Sequence, residues 1–393
     1  MLLESSRLHP TLPDLTEDTL TTQPIERAFT APSTWYTSGD FHAFDREAVE
    51  ARHWQYVGHV AQVNNAGDHA VASVAGEPIL VVRGKDDVLR AFYNVCRHRA
   101  GPLALENGTC SKGVLQCKYH GWTYTLDGML RGVPHWDRVD LFDKKDYGLT
   151  PVALEVWQGL MFVNLSPAPA PLEDTVQGIA ERIAPLRLDG LQFHRRVVYP
   201  VKCNWKAYVD NYLEGYHVPI VHPELNKVLD YAQYRTETSL KYSLQYSPFK
   251  ADADASMYGD AQQAFYYFVF PNMMLNIVGH RLQVNLVVPT GAQSCEVIFD
   301  YLYLDASSEA AQAQIQADFE YSEVVQREDE EICEQVQIGL NSRSYSVGRY
   351  SVQREEGVHH FHDLLRTAYR QHLLETQRPA SPQPFTPLLE TGS

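Results

Sequence analysis

The sequence predicts an α+β protein built as an all-β N-terminal unit followed by a larger mixed unit. Three observations carry that expectation. Short β-rich runs crowd the stretch from Trp54 to about Ser166. The run Pro167-Ala-Pro-Ala-Pro171 follows as a linker. Beyond it, strand patterns give way to two long helical patterns near the C-terminus, and 393 residues leave room for two domains.

The elements follow in order. Residues 1–40, rich in Thr, Pro and Ser, read as an extended arm that ends in a short helix near Arg46 to His53, and residues 1–50 are expected to pack as arm and helix on the second unit. Pro78–Arg83 and Val88–Val95 are strand patterns joined by the turn Gly84-Lys-Asp-Asp87. Asp127-Gly128 between Trp122–Leu126 and Met129–Arg131 is a hairpin signal. Val152 to Leu165 reads as a strand or strand pair. In the second unit, strands are expected near Arg195–Val201, Ala264–Phe270, Arg281–Val288 and Cys295–Tyr303. Helices are expected from about Ser308 to Gly339 and from about Glu355 to Leu374, with a disordered tail over 378–393. The expected units are thus 1–50, 51–166, 167–377 and the tail.

Charge and composition exclude whole classes. Lys and Arg total 33 against 49 Asp and Glu, a formal charge of −16, so no basic face is on offer to nucleic acid. No apolar run approaches the ~20 residues that span a bilayer, and Glu4 interrupts the start, so neither a membrane span nor a signal peptide is expected. Six Cys in so large a chain do not make a disulfide framework; a reduced, cytoplasmic protein with some Cys on metal is the expectation. No Gly-rich dinucleotide or Walker loop is present.

Two constellations offer metal chemistry. Cys96-Arg-His98 and Cys117-Lys-Tyr-His120 are separated by eighteen residues, with Gly101, Pro102, Gly108 and Gly121 around them. Such a set could hold zinc. Each loop, however, mixes one thiolate with one imidazole in β-rich sequence. That mixture suits a [2Fe–2S] cluster with two Cys on one iron and two His on the other. The second constellation has His217 and His222 five residues apart, about 140° around a regular helix, with Pro219 between them to break it and let the rings converge. A facial triad for iron(II) then needs a carboxylate. In Glu328-Asp-Glu-Glu331, Asp329 falls about 20° from the centre of a stripe of Val325, Ile332, Cys333 and Val336, whereas the three Glu point to a solvated face. A buried salt bridge would explain Asp329 equally well. His359, His360 and His362 read as exposed or intersubunit residues of a terminal helix, and Cys110, Cys203, Cys295 and Cys333 as buried thiols.

Cys96-x-His98 with Cys117-x-Tyr-His120-Gly-Trp122 resembles the Rieske domain of the Rieske non-haem iron oxygenases. Asp210-Asn-Tyr-Leu-Glu-Gly-Tyr-His217-Val-Pro, Pro271-Asn-Met-Met-Leu-Asn276, Arg281-Leu-Gln-Val-Asn-Leu-Val-Val-Pro289, Glu328-Asp-x-x-Ile-Cys-Glu-x-Val-Gln337 and Gly348-Arg-Tyr350 are similar to the branch that contains choline monooxygenase and the glycine betaine and carnitine oxygenases. The resemblance covers about residues 45–375. It implies an all-β Rieske domain and a catalytic domain of helix-grip type, with an antiparallel sheet under covering helices. It implies a [2Fe–2S] cluster on Cys96, His98, Cys117 and His120, and iron(II) on His217, His222 and Asp329. Glu214 matches the acid that links the cluster of one subunit to the iron of the next, with Asp210 as the alternative, so a homotrimer is implied. Dioxygen is the co-substrate, and electrons come from NAD(P)H through a separate reductase or ferredoxin. The substrate implied is a small quaternary ammonium compound, hydroxylated or N-demethylated. Aromatic faces attract such cations, and Phe265, Tyr267 and Tyr301 are the candidates, although aromatic strand stripes are more often core. An aromatic-ring oxygenase, a Rieske electron carrier and a zinc-stabilised interaction module are the competing readings.

Overall fold

The computed structural model describes residues 12, 14–110, 112–184, 186–251, 263–279 and 281–376. The tail expected to be disordered lies outside them. An antiparallel seven-stranded sheet forms the N-terminal unit. Its order is Gln55–His59, Leu160–Asn164, Pro151–Trp157, Leu89–Tyr93, Glu77–Arg83, Asp68–Val74 and Gly108–Thr109. A small three-stranded sheet, Leu115–Gln116, Thr123–Tyr124 and Leu130–Gly132, carries the loop of Cys117 and His120. The hairpin at Asp127-Gly128 forms, with Gly128 at φ +89°, which a side chain would strain.

The second unit is another antiparallel seven-stranded sheet. Gln192–Val201 is one edge, followed by Ser294–Tyr303, Arg281–Gly291, Met273–Val278, Gln263–Val269, Tyr242–Pro248 and Arg235–Thr238. Three of these strands were not expected. Tyr242–Pro248 buries Ser243, Gln245 and Ser247, so its apolar alternation is weak. Met273–Val278 is nearly all apolar and buried, which leaves no period to read. Arg235–Thr238 is short, polar and mostly exposed.

Helix Glu309–Leu340, capped by Ser308 Oγ on the Ala311 N–H, and helix Glu356–Thr376 cover one face of this sheet. The buried stripe of the long helix is Ile315, Asp318, Ser322, Gln326, Cys333 and Gln337. Val336 is 47% exposed and is no part of it. The stripe is polar because its side chains meet polar partners: Tyr208 Oη donates to Gln326 at 2.6 Å, and the Asn204 N–H donates to Gln337 at 2.8 Å.

The arm packs on the second unit. Its main helix is Gly39–Ala48, earlier than expected, because Ser38 Oγ caps the Asp40 N–H. Asp45, fully buried, ion-pairs with Lys206 and accepts from Trp205 Nε1 and Tyr369 Oη. One carboxylate therefore ties the arm to both a helix bearing the site and the C-terminal helix. Burial of both charges makes the pair costly to break from one side.

Candidate metal centres and cavity

The two loops of the N-terminal unit have matching backbones. The Cys96 N–H donates to Gly101 O and the Ala100 N–H returns to Cys96 O; the Cys117 N–H donates to Trp122 O and the Gly121 N–H returns to Cys117 O. Ala100 and Gly121 sit at φ +57° and +76° to close these turns. A Cβ on Gly101 would lie 3.1 Å from Cys117 Sγ, so the backbone hugs the thiol. Cys96 and Cys117 are buried and close enough to hydrogen-bond, while the His98 and His120 rings stand 4.7 Å apart and His120 is exposed. Tyr124 Oη lies 3.3 Å from Cys96 Sγ and accepts from the Arg97 N–H, and Trp122 stacks on His98 at 4.9 Å.

The donors thus form a thiol pair and an imidazole pair. Among the described residues, these four donors do not gather within 4.8 Å of one another as ligands of one ion would. Separate pairs fit a two-iron cluster and do not fit a single zinc ion.

The second centre is assembled from distant segments. Helix Trp205–Tyr212, capped by Asn204 Oδ1 on the Lys206 N–H, ends at Leu213. Gly215 then passes so near Tyr234 that a Cβ would sit 2.7 Å from its ring. His217 and His222 cap the two ends of the one-turn helix Val218–Val221. Pro219 therefore starts a turn instead of breaking one, and the break lies earlier, at Leu213–Tyr216. The two rings come to 5.0 Å. Asp329, from the long helix 107 residues after His222, places Oδ1 3.0 Å from His222 Nε2 and 3.9 Å from His217 Nε2. These three donors lie within 4.8 Å of one another.

Each imidazole is held from behind. Glu214 Oε1 lies 2.6 Å from His217 Nδ1, and Glu328 Oε2 lies 2.7 Å from His222 Nδ1. Carboxylates on Nδ1 set the tautomer whose Nε2 lone pair faces the other ligands. Asn211 Nδ2 donates to Asp329 Oδ1 at 2.6 Å. Burial alone would lower the His222 pKa, but hydrogen bonds to Asp329 and Glu328 outweigh it and hold it above the ordinary value. Three carboxylates around two imidazoles make a place for a cation, and the His₂-carboxylate donor set suits non-haem iron(II). Glu328, expected on a solvated face, and Asn211 are side chains of this candidate site that periodicity missed. Their partners come from other segments.

Beside this centre opens a cavity with about 850 Å³ of empty space, part of it open to solvent. Its aromatic lining is Tyr208, Tyr212, Tyr234, Tyr266, Phe299 and Tyr321. None of the expected aromatics lines it. Strand alternation turns Tyr266 and Phe268 toward the helices, and Phe265 and Tyr267 toward the core shared with the N-terminal unit. Tyr301 is fully buried between sheet and long helix, its hydroxyl 3.0 Å from Ser322 Oγ.

Asp210 and Glu214 part company. Asp210 accepts from Tyr36 Oη at 2.6 Å and pairs with His362 Nε2 at 3.0 Å. His362 is 1% exposed, which corrects the expectation of a surface histidine; Tyr350 Oη reaches its Nδ1 at 2.5 Å. His359 is half-buried, with Nε2 2.8 Å from Gln23 O. Cys203, Cys295 and Cys333 are buried in one core cluster, whereas Cys110 is half-buried, 3.6 Å from His69 Nδ1.

Residues 53–143 match the Rieske [2Fe–2S] domain, and residues 188–371 match the ring hydroxylating alpha subunit catalytic domain. Choline monooxygenase, chloroplastic, of Arabidopsis thaliana is 36% identical over 360 residues, which cover 87% of this chain and 83% of that one. The carnitine monooxygenase oxygenase subunit of Escherichia coli (strain K12) is 31% identical over 356 residues, covering 88% and 95%. A crystal structure of the quaternary ammonium Rieske monooxygenase CntA with L-carnitine superposes with TM-score 0.78 at 30% identity, covering 89% and 99%. Naphthalene 1,2-dioxygenase from Rhodococcus sp. superposes at 0.75 with 19% identity and shares the fold.

Proposed function

Because this chain belongs to the Rieske non-haem iron oxygenases of the ring hydroxylating alpha-subunit family, we propose that it hydroxylates or N-demethylates a small quaternary ammonium compound, choline, glycine betaine or a similar betaine, with dioxygen as co-substrate. The observation that carries the reading is the aromatic cavity that opens beside His217, His222 and Asp329. When bound, the [2Fe–2S] cluster supplies single electrons and the iron(II) activates dioxygen for insertion into a C–H bond.

The chain's own residues do the rest. Cys96, His98, Cys117 and His120 would hold the cluster, and His217, His222 and Asp329 the iron. Glu214 and Glu328 orient the two imidazoles, and Asn211 fixes the Asp329 carboxylate. Tyr208, Tyr212 and Tyr234 bond their hydroxyls to Gln326, Asn276 and Gln245, which holds the rings in place. Ring faces attract a quaternary ammonium, by roughly 2 kcal/mol when it is desolvated.

Glu214, in contact with His217, is the better junction to a partner subunit's cluster; Asp210 is committed to Tyr36 and His362. A head-to-tail homotrimer would bring these parts together. Tyr119 beside His120, and Tyr216 and Ile220 beside the iron ligands, are exposed apolar side chains that such a contact would cover. Electrons would come from NAD(P)H through a separate reductase or ferredoxin. The order of elements, an arm, a first sheet and a second sheet with its helices, supports a division at 50, 166 and 377. No helix among the described residues is long and apolar enough to cross a membrane. Six free thiols suit a reducing cytoplasm.

Oxygen uptake with a surrogate reductase tests the reading, scanning choline, glycine betaine, carnitine and simple aromatics. Uptake that depends on the quaternary ammonium compounds is expected. Turnover of aromatics alone would replace the reading with a ring oxygenase.

A further inference from the structure

The cavity is electrically uneven. Carboxylates surround its iron end: Asp329, Glu214 and Glu328. Along the strand Arg281–Gly291, every second residue from the start, Arg281, Gln283 and Asn285, faces the cavity and is buried. These side chains form one file. Arg281 donates to Gln283, and Gln283 Nε2 donates to Asn285 Oδ1 at 2.8 Å. Arg281 Nε lies 2.8 Å from Asp318 Oδ2. Asp318 stands eleven residues before Asp329 on one helix, about 16 Å along its axis. The guanidinium therefore marks the end of the cavity opposite the iron ligands.

Asp318 does not serve Arg281 alone, because its Oδ2 also accepts from Tyr303 Oη at 2.6 Å. Beside this end stands Tyr321, which lines the same cavity. Its hydroxyl is buried and has no hydrogen-bond partner among the described residues. A buried, unmatched hydroxyl costs stability unless something fills it. The Arg281 charge acts on both Tyr266 and Tyr321, and the Glu224 and Glu328 carboxylates act on Tyr321 more strongly than Arg281 does.

We propose that Arg281 and the Tyr321 hydroxyl form an anion subsite for the carboxylate of the substrate, so that the substrate is a quaternary ammonium carboxylate and not choline. This deepens the quaternary ammonium reading and rests on it. A zwitterion lies along the cavity with its cation toward the aromatic rings and the acidic iron end, and its carboxylate toward the guanidinium. Choline carries no anion to add to the partners that Arg281 already has in Asp318 and Gln283, and it leaves the Tyr321 hydroxyl unmatched.

Calorimetric titration of the resting holoenzyme, without reductase, tests this through affinity alone. The ligands are glycine betaine, carnitine and choline. The wild type is expected to bind at least one of the two carboxylates roughly tenfold or more tightly than choline, the scale of one hydrogen bond to a charged group. Tyr321→Phe deletes an unpartnered hydroxyl, so folding is not at risk. It is expected to weaken the carboxylate ligand roughly tenfold and to leave choline within about twofold. Arg281→Gln combined with Asp318→Asn, which removes both charges of the buried pair together, is expected to abolish the preference. Choline binding as tightly as both carboxylates overturns the subsite while sparing the quaternary ammonium reading. So does an equal loss for all ligands in Tyr321→Phe. Binding of none of the three overturns that reading and the subsite with it.

Discussion

The two metal centres are built in opposite ways. The N-terminal one draws its four candidate ligands from two loops within twenty-five residues, 96–120, each closed by its own backbone hydrogen bonds, and it presents its histidines toward the surface. The candidate catalytic one joins His217 and His222 to Asp329 across 107 residues, and carboxylates from the Leu213–Tyr216 break and from the long helix lie against its imidazoles. A local centre depends on turn geometry. A centre of the second kind depends on how helices pack, so it is sensitive to changes far from the ligands.

Removing a ligand separates the two most strongly. Asp329→Ala should abolish substrate-dependent oxygen uptake, by roughly a thousandfold or more, while the Rieske-type absorption and EPR signal persist. Cys117→Ser should do the reverse to the spectrum. Loss of both signals from one substitution would mean that the centres do not form independently.

Packing comes next. Lys206→Met strands the buried Asp45 carboxylate, and a loss of about 4 kcal/mol is expected in denaturant unfolding. The same substitution should lower iron occupancy of the second centre before it touches the cluster, because Lys206 lies on the helix that leads into Glu214 and His217.

The seam between the regions should carry a pH signature. His53 packs edge-on against Phe270 at 4.8 Å, and burial pushes its pKa from 6.5 down to about 4. A depressed folded-state pKa contributes stability above the unfolded value. That stability, up to about 3 kcal/mol, is lost as pH falls from 6.5 toward 4. His53→Gln should flatten this part of the stability–pH curve, and an unchanged slope would remove His53 as its source.

The smallest expected effect is the most specific to the packed centre. Glu328→Gln keeps the shape but weakens the hold on His222 Nδ1, and iron affinity measured by chelator competition should fall about tenfold. No change in affinity would reduce Glu328 to a bystander.

The same contrast explains what the sequence could show. Cys96-x-His98 and Cys117-x-x-His120 are legible because their geometry is local. His217 and His222 were also in reach, although Pro219 proved to open the turn between them. The reading of Asp329 rests on a stripe that the fold only partly uses: Cys333 belongs to the buried face, and Val336 does not. Apart from Ile315, the remainder of that face, Asp318, Ser322, Gln326 and Gln337, is polar, and hydrophobic periodicity does not register polar burial. The aromatic strand 263–269 was found, but which face looks into the cavity depends on which side the helices cover. That side is set by tertiary packing, and it selects Tyr266 over Phe265 and Tyr267.

The central claim is that one chain holds two separate iron centres. Iron and acid-labile sulfide counted per chain, on wild type and His217→Ala, test it most directly. Two cluster irons with two sulfides plus one further iron are expected in the wild type, and loss of only the single iron is expected in the variant. A wild type with zinc and no labile sulfide, or a variant whose iron content does not change, would contradict it.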